Sequence, residues 1–332
     1  MSVGLGWKSF VKIVKESSYG GPEEGFPSYI PFLNESIKTT ITPIISAGIY
    51  GGFSRKRWKA GSIAISGTLT LEAEAKEQHI LWRSLFGNVM TTELVANKVW
   101  KHTYTLASNL PSFKMEIRRD MYGIYEDFSF YYSGCKITNL DLTSEINNFV
   151  NLAFGIVAKE ESIELATTPS IEENIPIFNF TEGEFAIGAT GTVYPITAFR
   201  LSINNQLAVD RRALFSRTIR EPVRNAPIEV TGTIDVEWGI NDNDQLIYEA
   251  YMNYIQGAES KISITFNGPN IAGTPYNHQL KLILNRIFYT GDTPVVAGPG
   301  IIPVSIPFTA LYDVNTSTAE IKAELINNTI AD

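Results

Sequence analysis

Residues 63–74 read IAISGTLTLEAE, and 165 positions later residues 228–239 read IEVTGTIDVEWG. Both strings alternate apolar and polar side chains: Ile63, Ile65, Leu69 and Leu71 in the first, Ile228, Val230, Ile234 and Val236 in the second. Strict period-two alternation specifies a β-strand with one buried and one wet face. Each string carries a central Gly-Thr pair, Gly67-Thr68 and Gly232-Thr233, where a bend or bulge curves the strand. The offset is about half the chain, so the strings are read as an internal repeat.

Working outward, the neighbourhoods repeat as well. After the first strand, Ile80, Leu81, Leu85 and Phe86 form a helical stripe that ends at Gly87. After the second, Leu246, Ile247, Ala250, Tyr251, Tyr254 and Ile255 share one helical face, with Asp242 or Asn243 as N-cap and Gly257 just past the C-terminus. A basic, loop-like stretch precedes each strand: GGFSRKRWKAG at 51–61 and RRALFSRTIREPVRN at 211–225. Further strand-like segments follow in each half, FKMEIRRD and FSFYYSGCKITNLDL in one, SKISITF and HQLKLILNRIFY in the other. The polar, proline-containing stretch at 161–176 reads as a linker. The expected class is therefore mostly β: two tandem β-sandwich or barrel modules, each with one flanking helix and a long loop. The expected division is a first module with its N-terminal segment over 1–165, a second over 166–313, and a C-terminal tail over 314–332, partly helical through AEIKAELI.

Composition narrows the function. A 332-residue chain with 44% hydrophobic residues buries a sizeable core, and no window approaches an uninterrupted membrane-spanning run. Lys8, Lys12 and Lys15 break the apolar runs of the N-terminus, so no secretory signal is expected and the chain reads as made in a reducing cytoplasm. A single cysteine, Cys135, rules out an internal disulfide framework and a multi-cysteine metal centre. Residues 1–166 balance 17 basic against 17 acidic residues, whereas 167–332 hold 10 against 18, so the second half carries the whole net charge of −8. Such a chain repels phosphates and is a poor general nucleic-acid binder.

Catalytic patterns are weak. His79, His102 and His278 lack metal-ligand spacing, and no cofactor or metal is expected. GATGT at 188–192 and AGPG at 297–300 read as turns, and Cys135 has no histidine near it in sequence. Glu72 and Glu74 are a carboxylate pair of the kind a glycosidase uses, but on a repeated strand they read as a solvated face. Trp82 and Trp238 fall inside the repeated helix and strand patterns, which assigns them to packing rather than to sugar stacking.

Two sets of residues remain as functional candidates. The loops at 46–62 and 211–225 carry Phe53, Arg55, Arg57 and Trp58, and Phe215, Arg217 and Arg220. They resemble nucleic-acid patches, yet their recurrence beside an acidic chain favours contacts between copies, with the arginines pairing carboxylates and the aromatics supplying burial. The wet faces of the repeated strands read Ser66, Thr68, Thr70, Glu72, Glu74 and Glu229, Thr231, Thr233, Asp235, Glu237, hydroxyls and carboxylates without a Lys or Arg.

Several strings together resemble the bacteriophage tail tube protein family in its long, two-module form. The closing strand IPVSIPFTALYD, with Pro307, Phe308, Ala310, Leu311, Tyr312 and Asp313, is similar to that family's ending. KESSYGGPEEGFPSYIPFLNESIK, GGFSRKRWKAGSIAISGTLTLE, YYSGCKITNLDL and FRLSINNQL match internally, so that the resemblance spans most of residues 10–313. It implies a non-enzymatic virion protein, a subunit of stacked rings in the phage tail through which the DNA genome passes without specific binding. It also implies self-association, with tape measure, tail terminator and baseplate proteins as further partners and no membrane. Two modules per chain then predict rings of three chains rather than six, with Thr68, Thr70, Glu72, Glu74, Thr233, Asp235 and Glu237 facing the lumen. The alternative is a β-sandwich receptor- or carbohydrate-binding module of a phage fibre or baseplate.

Overall fold

The computed structural model describes residues 5–120, 128–188, 192–238, 241–291, 295–296 and 298–330, with the side chains of 241–245 excepted. Residues 189–191 of the 188–192 turn, position 297 of the 297–300 turn and the side chains of the Asp242/Asn243 cap lie outside the described residues.

The first half runs β1 (Phe10–Glu16), β2 (Glu23–Ile30), β3 (Asn34–Glu35), β4 (Lys38–Ile45), β5 (Trp58–Glu72), α1 (His79–Phe86), β6 (Gly87–Val95), β7 (Val99–Leu106), β8 (Phe113–Arg118), β9 (Phe128–Glu145), β10 (Asn151–Ala158) and β11 (Glu160–Leu165). The second runs β12 (Gly183–Ile187), β13 (Thr192–Val193), β14 (Ala198–Asn204), β15 (Glu229–Glu237), α2 (Asn241–Gln256), β16 (Glu259–Asn270), β17 (Asn277–Tyr289), β18 (Pro303–Ala310) and β19 (Lys322–Asn327). The alternating strings fall on β5 and β15 and both helical stripes on helices, as their periods require. The 161–176 linker is shorter than expected, because residues through Leu165 are hydrogen-bonded as β11 along β9.

Pairing repeats between the halves. In the first, β4–β5–β10–β9 are antiparallel neighbours, and β9 is also flanked by β8 and β11, with β1 and β2 beyond β8. In the second, β14–β15–β18–β17 follow the same order, and β17 is flanked by β16 and β19, with β12 and β13 beyond β16. Gly67 faces Ile156 across β10 as Gly232 faces Phe308 across β18. In the helices, buried Leu81, Trp82 and Leu85 correspond to buried Leu246, Ile247 and Ala250 at the 165-residue offset of the repeated strings. The hairpin of β6 and β7 has no counterpart among the described residues of the second half.

Two sheets cross from one half to the other. β9 pairs with β14 over seven residues, which makes β4–β5–β10–β9–β14–β15–β18 one continuous antiparallel sheet. On the other side of the core, β7 pairs with β19 and β19 with β17. β9 serves both layers: its first part pairs with β8 and β11, its last part with β10 and β14, and the change follows Gly134 at φ +63°. Between the layers lies a core that includes Trp82 edge-on to Phe154 and Phe199 stacked on Phe308, both pairs at 6.2 Å. Helix α1 fills this space at the junction of the halves. Asn205, just after β14, donates to Leu85 O on α1 and to Ile137 O on β9, and Asn327 on β19 donates to Ala75 O.

The C-terminal stretch expected to be partly helical is β19 instead. Ala, Glu, Lys and Leu favour helix in isolation, but Ile321, Ala323 and Leu325 also alternate and all three are buried, Ala323 and Leu325 within the pairing with β7 and β17. His102 on β7 fixes the join: its Nε2 lies 3.0 Å from Asn327 Oδ1 and 2.9 Å from Thr329 O, so the proton sits on Nε2, while Nδ1 accepts from Thr91 Oγ1 at 2.9 Å.

The two central glycines are required by close approach. A Cβ on Gly67 would lie 2.5 Å from the backbone of Ile37, and one on Gly232 would strike the Phe308 ring and lie 2.6 Å from Arg200 O. Gly232→Val is expected to destabilise the chain by about 1–3 kcal/mol or more through overpacking. A lowered denaturant midpoint checks this; an unchanged midpoint would show that β15 and β18 separate without cost.

Candidate functional site

The open face of the long sheet collects what the repeated strands present. Ser66, Thr68, Thr70 and Glu72 on β5, and Glu229, Thr231, Thr233, Asp235 and Glu237 on β15, point away from the core, whereas Ile65, Leu69, Leu71, Val230, Ile234 and Val236 are buried. Neighbouring strands of the sheet extend the same face. β9 adds Asn139, Asp141, Thr143 and Glu145, β14 adds Arg200, Ser202 and Asn204, and β18 adds Ser305, Pro307 and Thr309. Their alternation is legible in KITNLDLTSE and FRLSINN once both strings are placed at the centre of the sheet.

A trough of about 380 Å³ lies over β9, β14, β15 and β18, lined by Asp141, Thr143, Arg200, Ser202, Thr231, Thr233 and Thr309 among others. A cross-strand ladder spans it: Arg200 binds Glu145 on one side at 2.6 Å and Asp235 on the other at 2.5 Å, and Ser202 donates to Asp141 at 2.6 Å. Arg200, on β14 rather than on either repeated strand, is thus a cation on this face, held between two carboxylates. Lys38, opposite Ser66 on β4, is a second. Against them stand Glu72, Asp141, Glu145, Glu229, Asp235 and Glu237, so the face is net acidic.

Glu74 does not belong to it. β5 ends at Glu72, the chain turns inward through buried Ala73 and Ala75, and Glu74 is 4% exposed, bridged to Ile177. Burial, then the neighbouring Glu77 carboxylate, pushes its pKa from 4.5 up to about 8, although the Glu77 N–H bond to its Oε1 opposes this. Between pH 4.5 and about 8 the folded chain keeps a proton that the unfolded chain releases, so this group's contribution to stability falls as pH rises through that window. Glu77 is shifted upward as well and acts in the same sense. Glu74→Gln is expected to flatten the loss and to exceed wild type by on the order of a few kcal/mol near pH 8. Melting curves at pH 5 and pH 8 check it, and parallel losses in both proteins would refute it.

The two loops come together, which neither string foretells. The first is the tip, residues 46–57, of an arm formed by β4 and β5, where Phe53 is fully exposed and Trp58 is 69% exposed. Ile41, Ile44, Ile45 and Ile49 on the same arm are exposed too. Arg57 and Lys56 lie over the Tyr50 ring, and Arg55 is exposed. The second loop runs beside the base of the arm: Arg217 donates from Nε to Gly61 O at 2.8 Å, Arg217 O accepts from Ile63 N at 2.8 Å, and Arg212 donates to Ile63 O. Arg217 is therefore tethered within its own chain. Arg220 and Phe215 are exposed, Phe215 fully and at φ +69°. Trp82 is buried and Trp238 half exposed. Among the described residues no group of His, Cys, Asp and Glu is arranged to hold a metal, and no helix is long and apolar enough to cross a membrane.

Compared with known families, residues 6–310 match the phage tail tube protein family. The chain belongs to the phage tail tube protein family. No curated protein matches it. Its place is thus structural, in the tail of a virion. The family match stops at residue 310, so β19, which ties the two halves of this tail tube protein together, lies beyond it.

Proposed function

We propose that this chain forms rings of three subunits that stack into the tail tube, with the open face of the long sheet turned to the lumen and the DNA genome passing along it unbound. Each chain carries two tube modules, residues 1–165 and 166–313, with β19 completing the second. The observation that carries the reading is the junction of β9 with β14. One chain already joins two equivalent sheets edge to edge, with a net acidic face, and presents β4 at one end and, at the other, β18 with the end of β17, the counterpart of β9, to continue the pattern. Repeating that junction between chains closes a barrel and removes both edges. Three duplicated chains supply six equivalent sheet units, and closed cyclic symmetry ends the assembly.

Duplex DNA carries one charge per about 1.7 Å of axis, so a basic wall would grip it by counterion release. Hydroxyls and carboxylates keep the passage free of such contacts. The arm tips reach the adjacent ring, and the ends of the stack meet the tape measure, terminator and baseplate proteins. The mass of the smallest closed assembly tests the count. Native mass spectrometry is expected to give three times the 36.9 kDa chain; six chains per ring would refute the arrangement.

A further inference from the structure

Within one chain the outer layer of the junction is closed by α1, β7 and β19. On α1, Ile80, Leu81, Trp82, Ser84, Leu85 and Phe86 are all buried. The hairpin that follows places β7 along the outer edge of β19, where His102 and Tyr104 face Leu325 and Ala323, all four buried, and Tyr104 packs on Trp82 at 6.4 Å. The same positions in the other two places are bare. Helix α2, the counterpart of α1, runs five residues beyond Tyr251, the equivalent of Phe86, and exposes Tyr248, Tyr254 and Ile255. It then leads straight into β16, with no hairpin between. β11, the counterpart of β19, has no strand on its outer edge among the described residues. Its Ile163 and Leu165 are 55% and 68% exposed, where Ala323 and Leu325 are buried.

Both bare surfaces lie at the free ends of the long sheet. β11 is beside β4, since Glu161 accepts a hydrogen bond from Thr39, and α2 packs on β17 and β18. If β4 of the next copy takes, beside the β17–β18 end of this one, the place that β14 takes beside β9 within the chain, α2 and β11 come together where α1, β7 and β19 do at the internal junction. We propose that the outer seam between neighbouring copies is formed by the last turns of α2 on one chain, through Tyr254 and Ile255, packing on Ile163 and Leu165 of β11 on the next. This rests on the ring reading above and deepens it: the extra helical turns replace the hairpin, so the seam between chains differs chemically from the seam within one. Exposed apolar clusters of this kind mark association surfaces.

The test is a pair of cysteines, Ile255→Cys with Leu165→Cys, in the full chain, whose own Cys135 is buried. Rings of the double variant, verified by electron microscopy and treated with a short bis-maleimide, are expected to give covalent dimers and trimers on a denaturing gel, with each single variant remaining monomeric. Leu165→Lys is expected to raise the concentration needed for ring formation at least tenfold with an unchanged melting temperature. Intact rings without cross-links, together with normal assembly of Leu165→Lys, would overturn the seam and leave the ring standing. Failure of the wild-type chain to form rings at all would overturn both.

Discussion

Replacing Glu72, Glu229 and Glu237 by lysine is expected to leave rings and tubes intact while turning the lumen into a DNA trap. All three side chains lie on the open face and outside the Arg200 ladder, so the fold loses no buried contact. Each substitution reverses a charge, and a ring repeats the three changes on every chain. Retention should then follow counterion release, with six to ten phosphate contacts losing roughly 10³–10⁵ in affinity between about 50 and 200 mM salt. Sedimentation of duplex DNA with assembled tubes across that range reads the effect directly, and in a phage the same variant should slow genome ejection most at low salt. DNA binding that stays as weak as in wild type would place this face away from the passage.

The second large effect concerns the arms. Changing Phe53, Trp58 and Phe215 to serine is expected to abolish stacking of rings without changing the melting temperature of the chain, because all three are largely solvent-exposed in it. Fully burying such side chains contributes about 1.5–3 kcal/mol each, repeated on every chain of a ring. Reversing Arg55, Arg57 and Arg220 to glutamate should weaken stacking less, since exposed ion pairs contribute only ~0–1 kcal/mol each. Arg217 is left out because its guanidinium holds Gly61 of its own arm. Length distributions of tubes by negative stain rank the two variants. A stronger loss from the arginine set than from the aromatic set would reverse the assignment of what holds rings together.

Period-two alternation made β5 and β15 legible, and helical stripes made α1 and α2 legible, because each pattern is local and each face is buried along one side. The limits of that reading are equally physical. Alternation carried past the end of β5 puts Glu74 on the wet face. The turn after Glu72, fixed by the distant bonds from Phe178 N to Ala73 O and from Ala75 N to Pro176 O, takes it inside. β19 was hidden because its residues satisfy helix propensity and strand alternation alike, and only the gap between β7 and β17 decides. The tether of Arg217 to Gly61 joins residues 156 apart in sequence, and no local pattern encodes it. Half of the open face, on β9, β14 and β18, alternates as clearly as β5 does. Its membership in one surface depends on the β9–β14 pairing, which the repeat implies but does not locate.

The most direct measurement is a cryo-electron microscopy reconstruction of the assembled tube at side-chain resolution. Three chains per ring are expected, with β4 of one chain joining the β17–β18 end of its neighbour as β14 joins β9 within the chain. Thr68, Thr70, Glu72, Thr233, Asp235 and Glu237 should line the lumen, and Glu74 should be buried in the wall. A ring of six chains with the second half outside, or these side chains on the outer surface of the tube, would contradict it.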